Sequence, residues 1–199
     1  MKIVLFYLIT CFLFFSCNQP QENSTESSHS TADSLHEKPA TAGYFPVTDY
    51  FRGQLAEIRN KGINPLKLTK NKNADDSSWI KMEALETEFA LFLSPEIDSS
   101  HMTSLFKESK FLDQTIDAFT FSYDPSGPLP DSIKLMRWDV YINPETNSVS
   151  RVYLVKKMEN DKMVQLTWLH GKSCRMVTIS NDKQGKAIIE KEITIKWDF

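Results

Sequence analysis

The chain has 199 residues, 41% of them hydrophobic and 25% charged, with a formal net charge of −3. These averages pool three dissimilar segments: thirteen of residues 1–16 are apolar, residues 18–43 hold no aromatic, and all eighteen aromatics beyond Phe15 fall between Tyr44 and Phe199. The last segment, about 156 residues, suffices for one core but excludes two comfortable domains, and its 21 basic against 22 acidic residues exclude the basic face that nucleic-acid binding needs.

The first predicted element is an address. Ile3 through Phe15 is an apolar run broken only by Thr10 and Cys11 and preceded by Lys2. It falls short of the ~20 residues that span a bilayer, so it reads as the apolar heart of a secretory signal. Ser16 and Cys17 close it, and Leu13-Phe14-Phe15-Ser16-Cys17 resembles the lipobox of a bacterial lipoprotein precursor, with Phe14 where that family prefers an aliphatic residue. The resemblance implies removal of residues 1–16, a diacylglyceryl group on the Cys17 sulfur and acylation of the new amino terminus. It further implies a membrane as partner through that lipid. Asn18, where an Asp would retain the protein at the inner membrane, favours the outer membrane of a Gram-negative bacterium. Two or three acyl chains, at ~0.8 kcal/mol per buried methylene, hold such a protein on its membrane.

Residues 18–43 carry only four apolar side chains and are rich in Ser and Thr, too poor in apolar residues to fold. Residues 17–43 are therefore expected to be a lipidated cysteine and a tether, with a reach of roughly 25–30 Å for a flexible coil. Cys11 leaves with the signal and Cys17 is acylated, so Cys174 is left without an intramolecular disulfide partner and reads as a small buried hydrophobe.

The body, residues 44–199, is expected to be a single α+β domain: about three N-terminal helices followed by a six-stranded antiparallel β-meander. Thr48 or Asp49 can cap a first helix in which Val47, Tyr50, Phe51, Leu55 and Ile58 recur at helical spacing, with Gly62 placed to end it. After a polar stretch, Asn71 to Ser78, a second helix is signalled by Trp79, Met82, Leu85, Phe89, Phe92 and Leu93. A shorter third starts near Ser99 and carries Met102, Leu105 and Phe106. The period then changes to two at Phe119, Phe121 and Tyr123, and further strand-like runs follow at 132–142, 149–157, 163–170, 173–180 and 186–198. Their short connections join antiparallel neighbours.

With simple hairpin registers, one sheet face collects Val152, Leu154, Leu166, Trp168, Val177, Ile179, Ala187, Ile189, Ile193, Ile195, Trp197 and Phe199 as a core. Met136, Trp138, Val140 and Ile142 are expected on the opposite face, joined by Tyr153 and Val155. There, helices cover them, the sheet curls, or Met136, Trp138, Val140 and Tyr153 form a binding surface.

Catalytic templates fail. Gly171-Lys172-Ser173 ends like a phosphate-binding loop, but Leu166 stands where its glycine should. There is no H-E-x-x-H, no zinc-type cysteine pair and no G-x-S-x-G, so no metal or cofactor is expected. The nearest polar constellation is Arg137 and Asp139, with His170 and Arg175 as neighbours: a cross-strand ion pair, or a small anion pocket. The function these features predict is a lipid-anchored cell-envelope protein with a non-catalytic binding or structural role, its partner an envelope protein or an apolar ligand. The alternative is a carrier of an apolar ligand, or a small enzyme, with its pocket between the helices and a curved sheet.

Overall fold

The computed structural model describes residues 44–72, 74–97, 102 and 104–199. The signal, lipobox and tether expected within residues 1–43 lie outside the described residues, as does the start of the third helix near Ser99.

Helix α1 (Val47–Asn60) buries Val47, Phe51, Leu55 and Ile58 along one stripe, the spacing that sets its apolar side against a core. Gly62, at φ +65°, ends it. Its N–H bonds to the Arg59 carbonyl and that of Ile63 to the Ile58 carbonyl, the paired closure that a left-handed residue just past a helix permits. Neither Thr48 nor Asp49 caps the start, where Pro46 precedes the helix. Thr48 is buried instead, and its hydroxyl accepts the Ile97 N–H at 2.8 Å.

Nine strands account for nearly half of the described residues: β1 (Leu66–Asn71), β2 (Asp75–Trp79), β3 (Phe106–Asp113), β4 (Ala118–Pro125), β5 (Leu135–Ile142), β6 (Val149–Lys157), β7 (Met163–Leu169), β8 (Ser173–Asn181) and β9 (Ala187–Lys196). They form one antiparallel sheet in the order β2-β1-β9-β8-β7-β6-β5-β4-β3. The expected three helices followed by a six-stranded meander are thereby overturned. The predicted second helix is a strand end and a chain of short turns: Trp79 closes β2, then come a 3₁₀ turn (Met82–Ala84), α2 (Leu85–Glu88) and α3 (Ala90–Leu93). Within the predicted third helix, Phe106 opens β3. The polar stretch from Asn71 to Ser78 contains most of β2, every residue of which is exposed. An edge strand needs only backbone pairing on one side, here to β1, and its Asp75 and Asp76 discourage another chain from adding to the free side.

The described turns that follow β2, up to residue 97, lie with α1 on a single sheet face. Trp168 of β7 is the hub of that contact. Its ring centroid lies 5.1 Å from Phe51, 5.3 Å from Phe89, 5.1 Å from Phe92 and 4.9 Å from Trp197.

Registers correct the expected core in part. Val152 pairs with Trp168 and Leu154 with Leu166, but Leu166 then meets Met176 and Trp168 meets Cys174. Strand β8 is thus one residue out of the expected phase: Cys174 and Met176 enter the core, and Val177 and Ile179 face the other way. Ile195 and Ile193 pair with Cys174 and Met176 and so stay on the core side, while a register shift between Thr178 and Ile179 sets Ile189 opposite Ile179 and leaves it exposed. Phe199 is exposed too, packed edge-on to Trp79 at 5.5 Å.

Candidate functional site

The expected binding surface does not form. On β5, Trp138 pairs with Leu154 and Val140 with Val152, which puts both on the core face rather than opposite it, and neither is exposed. Trp138 stacks on Tyr123 at 4.5 Å with 9° between planes and meets Phe106 edge-on at 4.7 Å. The physical reason is a register shift between Tyr141 and Ile142, which leaves Ser150 unpaired and sets Trp138 opposite Leu154 rather than Tyr153; a second shift, between Leu135 and Arg137, leaves Met136 unpaired and partly exposed. Tyr153 pairs with Asp139 and projects to the other side of the sheet, where burial raises its phenol above the ordinary value.

The four polar candidates are only partly brought together. Arg137 and Asp139 share the face away from the helices, and the Arg137 Nη2 donates to both carboxylate oxygens of Asp139, at 3.0 and 3.2 Å. Asp124 lies 3.7 Å from the Arg137 Nε. Arg175 stands on the same face but three strands along the row Asp139, Tyr153, Thr167, Arg175, a separation of about 14 Å at ordinary strand spacing. It donates to Glu192 at 2.7 Å. His170 sits in the β7–β8 turn, hydrogen-bonded through Nδ1 to the Tyr50 hydroxyl of α1 at 2.9 Å. That turn docks on α1 a second time through the Gly171 N–H, which donates to Gln54 Oε1 at 3.1 Å. The set is two separate ion pairs and one helix-docking contact.

A different feature combines charge, burial and space. Lys156, two residues beyond Leu154 in the inward phase of β6, is only 3% exposed. Its ammonium donates to the backbone carbonyls of Leu91 and Ser94 at the end of α3. No carboxylate among the described residues pairs with it. Burial alone pulls its pKa down from 10.5 to about 8. Beside it lies a cleft of about 400 Å3 between α3 and the adjoining ends of β5 and β6, walled by Leu91, Pro95, Ile133 and Met158 and lined also by Lys134 and Lys157. Sequence reasoning passed over Lys156, although a lysine in the alternating phase of Val152 and Leu154 was the visible signal.

Cys174 is buried on the core side of β8, and that burial pushes its thiol well above the ordinary value. A neutral, enclosed thiol is a poor nucleophile. Cys174 is therefore expected to resist iodoacetamide at pH 8 in the native chain and to react on denaturation, as followed by mapping of the peptide that carries it. Native labelling within about tenfold of the denatured rate contradicts this placement.

Compared with known proteins, the chain matches no family model, no curated protein and no solved structure.

Proposed function

We propose that this chain is a lipid-anchored protein of the cell envelope, held at the outer membrane of a Gram-negative bacterium through acyl chains on Cys17, whose body binds a partner or ligand without transforming it. The observation that carries the binding role is the commitment of the polar side chains that catalysis would call on. Asp139 is held by Arg137, Arg175 by Glu192 and His170 by Tyr50, each within a separate contact. Acid–base catalysis needs such groups within reach of one reacting atom, and these three contacts are distributed over one sheet face, where the two ion pairs stand about 14 Å apart, and a turn. The anchor rests on the lipobox-like Leu13–Cys17 and on the polar composition of residues 18–43.

The anchor has a direct test. Cys17→Ser in the full chain should move the protein from the membrane to the soluble fraction and abolish incorporation of labelled palmitate. Membrane retention of that variant, or palmitate incorporation without Cys17, defeats the reading. A second reading, the body as carrier of a ligand with an apolar part, is favoured by the cleft beside Lys156, which opens between a helical turn and the sheet and falls in the size range of small-molecule sites.

A further inference from the structure

We infer that the cleft between α3 and the ends of β5 and β6 is a binding site for a short-chain fatty carboxylate, whose charge is met by the ammonium of Lys156. The inference deepens the carrier reading and is separable from the anchor, since it concerns residues 90–158 and makes no use of Cys17.

Three observations converge on it. A lysine ammonium has three donors, and the Leu91 and Ser94 carbonyls account for two, leaving one to spare. Those carbonyls satisfy hydrogen bonds but do not neutralise the charge. A buried ion without a counter-ion is costly in a weakly polarisable surrounding, and an incoming carboxylate removes that cost while gaining a strong, charge-assisted bond. The charged side chains that line the cleft among the described residues, Lys134, Lys156 and Lys157, are all basic, and of these Lys157 pairs with the exposed Asp161 at 3.9 Å. A ligand amine is repelled there and a carboxylate attracted.

The walls then decide between a bare anion and an amphiphile. Leu91, Pro95, Ile133 and Met158 offer apolar surface that acetate leaves uncovered and an acyl chain fills. Capping the Leu91 and Ser94 carbonyls at the end of α3 explains why a lysine points inward. It does not explain an apolar cleft of about 400 Å3 beside the ammonium.

The test uses the full chain in a non-ionic detergent, titrated with octanoate carrying carbon-13 in its carboxyl group, with octan-1-ol, octylammonium and acetate as matched probes. Octanoate should saturate one site at least about tenfold more tightly than octanol or acetate, and octylammonium should not saturate. Lys156→Met should reduce octanoate to the level of octanol. Ile133→Trp, which fills the cleft without touching the ammonium, should abolish octanoate binding with an unchanged circular dichroism spectrum, and this variant decides the matter should Lys156→Met fail to fold. Equal affinity for octanoate and octanol overturns the proposal, as does octanoate binding that survives either variant or fails to saturate in the unaltered chain. None of these outcomes alters the membrane-release test at Cys17, so failure of the cleft and failure of the anchor are told apart.

Discussion

Trp168→Ala is expected to be the most damaging single substitution in the body, costing about 3–5 kcal/mol, a large share of the 5–15 kcal/mol that typically separates a folded domain from its unfolded chain. The indole is fully buried and touches rings from three directions: Phe51 of α1, Phe89 and Phe92 of the short turns, and Trp197 just past β9. Truncation leaves a cavity bounded by elements that cannot all collapse into it, because the sheet fixes one wall and α1 another. Trp168→Phe should behave very differently. The indole Nε1 is buried with no hydrogen-bond partner, so the ring contributes area and shape but no polar bond. Phenylalanine retains most of the ring contacts and removes a buried unsatisfied donor, for a net cost on the order of 1–2 kcal/mol. Urea denaturation followed by circular dichroism measures both. Equal costs for the two substitutions, or less than about 1.5 kcal/mol for alanine, refute the hub role.

The contrast between the two ends of the sheet explains what could be read in the residues and what could not. Strands β4 to β9 announce themselves by period-two alternation, and Trp168 and Leu154 are placed on the core face by it. Strand β2 carries no such signal. Asp75 to Ser78 are poor strand formers, exposed throughout, and become a strand only because β1 supplies a backbone template. In β3, Phe111 and Leu112 are adjacent and both exposed, so no alternation marks that strand either. The false second helix has a similar origin: Leu85, Phe89 and Phe92 are spaced as on one helix face, and the short α2, the residue that joins it to α3, and α3 bury the same three side chains.

Register was harder still. Strand β8 has apolar residues in both phases, Cys174 and Met176 in one and Val177 and Ile179 in the other, so alternation alone cannot choose between them. The choice is made across the strand by Leu166 and Trp168 and carried on to Ile193 and Ile195 of the last strand, until the register shift at Thr178 sets Ile189 opposite Ile179. On the β5–β6 hairpin the register shift between Tyr141 and Ile142 sets Trp138 opposite Leu154 and Val140 opposite Val152, on the core face, which dissolves the expected binding surface. Of the polar set, the Arg137–Asp139 pair was legible because two residues of one strand two apart share a face; the scatter of His170 and Arg175 depended on which turn docks on α1 and which strand neighbours β9.

Lys156 should make the stability of the fold rise with pH in a window where most proteins gain nothing. Its side chain releases its proton at about 8 in the folded chain against 10.5 ordinarily, because burial disfavours the charged form. Between those values the unfolded chain binds more protons than the folded one, so unfolding becomes harder as pH increases, by up to about 3 kcal/mol at about 1.4 kcal/mol per unit. Below pH 8 both states are protonated and the cost of the buried charge is present in full. Other groups act against the trend because burial favours their neutral form and they ionise first in the unfolded chain: the Cys174 thiol from about pH 9 and the phenols of Tyr44, Tyr50, Tyr123, Tyr141 and Tyr153 from about pH 10 upward. Lys156→Met separates the effects. It deletes the titration at this one position and leaves the tyrosines, Lys134 and Lys157 in place. It also strands the Leu91 and Ser94 carbonyls, a penalty that does not vary with pH. The stability of the native chain minus that of the variant should accordingly climb from pH 8 to pH 10 on top of a constant offset, as measured by denaturant titration at half-unit intervals in the absence of any carboxylate ligand. A flat difference across that interval means that the ammonium is solvated or paired, and removes the buried charge on which the carboxylate site depends.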